Sequence, residues 1–143
     1  MRRYITIKGD IIFKEYTSGA WELIIEITPE DIVPFYMELQ LLASKLSESF
    51  TVSSLNSSIG VSITFMGDNK ESRIKLINKK YKLELNNNDF EVILMFILGY
   101  YRDSCAPVSH IHIDLAKDKF IEGNGELTIL ASVSANTIRG EKV

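Results

Sequence analysis

The chain has 143 residues, 45% of them hydrophobic and 24% charged, with a formal net charge of −3 at neutral pH and a pI near 5.4. That is apolar material for one core of ordinary size, read here as a single domain over residues 1–143, and it argues against a general nucleic-acid binder, which needs a strongly basic face. One cysteine, Cys105, excludes an intrachain disulfide framework, no Cys/His spacing of a structural zinc site occurs, and a reducing, cytoplasmic setting is expected.

Arg2 and Arg3 are not followed by an apolar block, so no secretory signal is expected. The longest apolar run, residues 92–99, is far short of the roughly 20 residues of a membrane span. Ile5 and Ile7 then alternate with polar neighbours up to a turn at Gly9-Asp10. A second strand carries Ile11 and Phe13, and Ser18-Gly19 turns the chain again. In the third strand Trp21, Leu23, Ile25 and Ile27 share one face, with Glu22, Ile24 and Glu26 on the other. By pattern this is a three-strand meander.

Thr28-Pro29-Glu30-Asp31 opens a helix: a threonine cap, proline in the first turn, then acids. Phe35, Leu39, Leu42 and Leu46 recur at helical spacing, and the helix is expected to dissolve at residues 47–49. Ser53 to Ser58 reads as a loop. Ile59, Val61, Ile63 and Phe65 mark the next strand. A hairpin about Asn78-Lys79 sets Arg73 opposite Glu84, Leu76 opposite Tyr81 and Lys75 opposite Lys82. The last pairing is of like charges, a destabilisation of a few tenths of a kcal/mol. Its relief is expected from a neighbouring strand bearing Glu22 and Glu26, or from phosphate or an acidic partner surface.

Asn86 to Asp89 caps a second helix that ends near Asp103. Its middle, residues 93–98, is apolar all round, which predicts a central, buried helix. Two more strands follow, residues 109–115 and 126–134, the second with Leu127, Ile129, Ala131 and Val133 inward. Residues 136–143 read as a frayed tail. The expected fold is α+β: a two-layer sandwich, an antiparallel sheet with two helices packed on one face, in the order βββα-βββα-ββ.

Both histidines lie in the strand Ser109-His110-Ile111-His112-Ile113-Asp114-Leu115. Alternation puts His110, His112 and Asp114 on one face. Such a row is able to ligate zinc or iron, which would make the chain a small metal-binding module or metal-dependent enzyme. It equally suits a solvated strand face, or recognition of a protein partner. No cofactor is expected. Cys105 follows a helix C-terminus, where the dipole disfavours the thiolate, and nothing around it reads as a nucleophile motif. No phosphate-cradling glycine loop, catalytic triad order or HExxH motif is present.

Residues 86–115 carry an Asn-capped apolar helix closing in Tyr100-Tyr101-Arg102-Asp103, then the His-x-His-x-Asp strand. This segment resembles a family of bacterial immunity proteins found beside polymorphic toxins. The resemblance implies a non-catalytic cytoplasmic inhibitor that binds and occludes a cognate toxin protein encoded nearby, with no membrane or nucleic-acid partner. Tyr100, Tyr101, Arg102, His110, His112 and Asp114 are the partner-binding candidates it points to. A generic protein-interaction or regulatory module is the further alternative.

Overall fold

The first three strands do not stay together. A computed structural model describes residues 3–67, 70–78, 80–102, 109–116 and 125–131. Strand β1 (Tyr4–Ile7) is followed by β2 (Ile11–Glu15) and β3 (Trp21–Ile27). β1 leaves the other two and pairs in parallel with β4 (Ser49–Ser54). It forms the edge of a five-stranded sheet ordered β1-β4-β5-β7-β6, completed by β5 (Ser57–Phe65), β6 (Arg73–Ile77) and β7 (Lys80–Leu85). β2 and β3 belong to a second, four-stranded sheet, ordered β2-β3-β9-β8, with β8 (Ser109–Leu115) and β9 (Gly125–Ala131).

The turn between β1 and β2 is therefore a passage from one sheet to the other. Gly9 makes it possible. A Cβ at this position would lie 1.8 Å from the Glu26 carbonyl oxygen, so only glycine allows β3 to approach so closely. The Asp31 carboxylate, 4% exposed, then holds the passage in place. It accepts the backbone N–H groups of Lys8 at 2.7 Å, Gly9 at 3.1 Å and Thr28 at 2.9 Å, and the Thr28 hydroxyl at 3.0 Å. Three strand and turn donors thus converge on the residue that starts the first helix.

The α+β class holds, with nine strands and two helices among the described residues. The single antiparallel sheet does not. Both sheets are mixed, with β1 parallel to β4, β5 to β7 and β3 to β9. In each parallel pair other elements intervene in sequence, and local alternation reports nothing about such distant pairing. β4 was not anticipated: it runs from the expected helix end into the expected loop at 53–58, and β5 already starts at Ser57. The serines and threonine of β4 mask an alternation in which Phe50, Val52 and Ser54 point inward.

The helices also depart from the expected layer. α1 (Ile32–Ala43) and α2 (Asn87–Arg102) pack on each other, α1 touching β5 and α2 touching β8, rather than lying together on one sheet face. Where β2 meets β5 the sheets contact directly, and Phe13 stacks with Trp21 and Tyr81 at centroid distances of 5.7 and 5.1 Å. Elsewhere the helices supply the aromatics. Phe35 meets Phe50 edge-on, and Phe90 stacks on Phe65.

α1 is shorter than its apolar periodicity suggests. Lys45 adopts a left-handed φ of 62°, and the N–H groups of Lys45 and Leu46 return to the carbonyls of Leu42 and Leu41, a Schellman closure. Leu46 falls outside the helix and is 78% exposed. α2 is buried along one stripe only, Phe90, Ile93, Ile97 and Tyr100, while Val92, Met95, Leu98 and Tyr101 are exposed. Its all-round apolar composition overstated its burial.

Its cap is as expected, with the Asn86 side chain accepting the Asp89 N–H at 2.8 Å. Buried Ser72 accepts the Asn86 N–H and donates to Asp89, and its carbonyl receives the Ala116 N–H at the end of β8. The β6–β7 hairpin has the predicted register, Lys75 opposite Lys82 included. Relief comes from within the hairpin, through a 3.1 Å ion pair of Lys75 with Glu84. Glu22 and Glu26 lie in the other sheet. Val133, Asp103, Cys105 and the tail at 136–143 fall outside the described residues. No described helix is long and apolar enough to cross a membrane.

Asp31→Asn keeps the shape but turns an amide N–H toward converging donors. It is expected to cost about 2–4 kcal/mol, read as a lower urea midpoint at unchanged slope. An unchanged midpoint would show that Asp31 does not hold the passage.

Candidate functional site

In the four-stranded sheet, the period-two rule fixes which groups face outward. Leu23, Ile25 and Ile27 of β3, Leu127, Ile129 and Ala131 of β9, and Ile113 and Leu115 of β8 are buried in the core. Their alternates form the opposite face: Glu22, Ile24 and Glu26, then Glu126, Thr128 and Leu130, then His110, His112 and Asp114. Ile12 and Lys14 of β2 complete it.

The registers line these groups up across strands. One row runs Lys14, Glu22, Glu126, Asp114. The next runs Ile12, Ile24, Thr128, His112, and a third pairs Glu26 with Leu130 and His110. The first row sets three carboxylates on three adjacent strands, roughly 5 Å apart strand to strand, with one lysine at its end.

His112 is the centre of the polar contacts on this face. Its Nδ1 lies 2.8 Å from the Thr128 hydroxyl oxygen, 3.1 Å from Glu126 Oε1 and 3.9 Å from Glu22 Oε2. The Thr128 hydroxyl has one proton and gives it to Glu22. Nδ1 is therefore the protonated nitrogen that donates to Thr128. Glu22 also accepts the Tyr16 hydroxyl at 2.7 Å. A continuous hydrogen-bonded path thus crosses the sheet from His112 through Thr128 and Glu22 to Tyr16.

The electrostatics follow from that path. Burial works to raise the Glu22 carboxyl. The hydrogen bonds from Thr128 and Tyr16, with the charges of His112 and Lys14, outweigh it and hold the group below its ordinary value. Glu22 in turn raises the Tyr16 hydroxyl, first by accepting its hydrogen bond.

The candidates separate into groups. His110, His112 and Asp114 share one exposed face, and the two imidazoles stand edge-to-face at 4.8 Å. Among the described residues, the ligand atoms that gather are a different set, Glu22, His112 and Glu126, all within 4.8 Å of one another. Glu22 and Glu126 were missed as site residues because their proximity to His112 depends on the pairing of β3 with β9 and β9 with β8. Their outward phase was the one signal available in sequence. Tyr100 is 5% exposed and part of the core, whereas Tyr101 and Arg102 are exposed at the end of α2.

The outer face of the five-stranded sheet has the opposite character. Thr51, Ser53, Gly60 and Ser62 line an open groove bordered by Arg3, Lys45 and Lys80. The Arg3 guanidinium is tied by paired hydrogen bonds of 2.7 and 2.9 Å to buried Glu38 of α1.

No protein-family model matches the chain, and no curated protein matches it.

A carboxylate held low in the folded state binds fewer protons there than in the unfolded chain. Its contribution is therefore present above the ordinary glutamate range and disappears as pH falls through the folded-state value. At neutral pH, Glu22→Gln is expected to be about 1–3 kcal/mol less stable than wild type. The gap should narrow as denaturation is repeated below the ordinary glutamate range. A gap that stays constant or widens in acid would contradict the assignment.

Proposed function

We propose that this chain is an immunity protein. It binds a cognate toxin protein encoded nearby and neutralises it by occlusion in the cytoplasm, without catalysis. The observation that carries this reading is the carboxylate row on the open face of the four-stranded sheet. Like charges directly opposite one another on adjacent strands destabilise a sheet by about 0.2–1 kcal/mol per pair. Glu126 stands opposite Asp114 and beside Glu22, with Glu26 on the same face. Hydrogen bonds to Glu22 and the contact of Glu126 with His112 offset part of that repulsion within the fold, and a basic partner would relieve what is left.

The mode of action follows from the charge. An acidic face steers a basic protein into encounter and rejects partners of the wrong sign. His112 at its centre, with a side chain 46% exposed, is a group able to fix orientation once the surfaces meet. The resemblance of residues 86–115 to polymorphic-toxin immunity proteins supports the same reading. Of the partner-binding candidates it named, His110, His112, Asp114, Tyr101 and Arg102 are exposed, and Tyr100 serves the core.

Charge reversal tests the proposal. The double variant Glu26→Lys, Asp114→Lys should remain folded, lose at least tenfold in affinity for the neighbouring toxin domain by titration calorimetry, and fail to rescue growth of cells expressing it. The loss should reside mainly in a slower association rate and shrink as salt is raised. Full protection by the folded double variant would sink the assignment of this face.

A further inference from the structure

We infer that His112, Glu126 and Glu22 form a site for a divalent transition-metal ion, with zinc the best match to the donors. One imidazole and two carboxylates, one from each of three adjacent strands, form a mixed nitrogen–oxygen set that selects zinc-like ions over magnesium or calcium. Around a tetrahedral zinc with bonds near 2.1 Å, ligand atoms sit roughly 3.4 Å apart. Here Nδ1 is 3.1 Å from Glu126 Oε1 and 3.9 Å from Glu22 Oε2, with all three atoms inside 4.8 Å. Closing the set requires small rotations of side chains, and those of Glu126 and His112 are 37% and 46% exposed.

Two further features fit the same ion. The like-charged neighbours Glu22 and Glu126 lose their mutual repulsion when a dication lies between them. Thr128 donates to Glu22 whether or not Nδ1 carries a proton, and so orients that carboxylate as an outer partner does in known metal sites. Binding at Nδ1 needs the neutral ring with its proton on Nε2, so the Nδ1–H hydrogen bond to Thr128 is given up when the ion enters.

The ligand set differs from the one that sequence alone suggested. His110 and Asp114 lie two residues to either side of His112, roughly 7 Å away along the strand. Glu126 and Glu22 reach it from neighbouring strands. A surface pair of histidines is the rival explanation for any metal uptake, because the His110 and His112 rings are themselves close.

The test uses the full chain without a histidine tag and needs no toxin, so its outcome is independent of the partner proposal. Zinc titration by calorimetry, with cobalt absorption as a second readout, should give one ion per chain. Glu126→Gln and His112→Ala should each weaken binding at least tenfold, and His110→Ala should change it less than twofold. Zinc should raise the melting temperature of wild type and not that of His112→Ala. Melting curves in chelator establish that each variant is folded, and Glu126→Gln carries the test where Glu22→Gln proves too unstable. Absence of binding at millimolar zinc would overturn the site. So would a His110→Ala loss equal to that of His112→Ala with Glu126→Gln unaffected, which would mark a plain histidine pair.

Discussion

The buried Asp31 carboxylate is the constraint from which the rest of the architecture follows. The chain has to leave one sheet and enter another within the few residues between Ile7 and Ile11, while Gly9 is pressed against the backbone of β3. The backbone donors freed by that passage have no strand partner. Asp31 collects those of Lys8 and Gly9, and it does so from the start of α1. One side chain therefore ties the crossing between the sheets to the start of the helix that packs on α2. Ser72 has a comparable role at the start of α2, joining the approach to β6, the helix cap and the end of β8. Both helices are anchored by polar hubs, in keeping with the general rule that buried polar groups are hydrogen-bonded.

The consequence for function is a sheet with one face in the core and the other open. That outer face is acidic, while the outer face of the five-stranded sheet is lined by hydroxyls and bordered by cations. A net charge of −3 conceals this division. The acidic face sets like charges side by side. Glu22 is depressed and well bonded, but Glu126 and Asp114 stand as like charges opposite each other. Under the two proposals, a basic protein or a metal ion would relieve that pairing.

Much of this was legible in the sequence, and the rest was hidden for physical reasons that differ by element. Alternation identified the buried faces of β3, β5 and β9, and turn chemistry gave the β6–β7 register to the residue. Thr28-Pro29 and Asn86 announced the helix starts. All of these are local signals. β4 was hidden because serine and threonine fill its outward positions. The division into two sheets was hidden because it depends on parallel pairings between distant segments. The site shared that fate: the phase of His112 on β8 was readable, but Glu22 and Glu126 become its neighbours only through the β3–β9–β8 order. The apolar sequence of α2 misled for the converse reason, since composition cannot tell a buried helix from one with an exposed apolar stripe.

The account stands on the claim that the open face of the four-stranded sheet is kept acidic at a cost to stability. Asp114 measures that cost most directly, since it faces Glu126 across the β8–β9 ladder and lies outside the proposed metal-ligand set. Urea denaturation of Asp114→Asn at low salt should show a protein more stable than wild type by a few tenths of a kcal/mol, with the gain fading as salt screens the repulsion. A variant no more stable than wild type, or less stable, would contradict it.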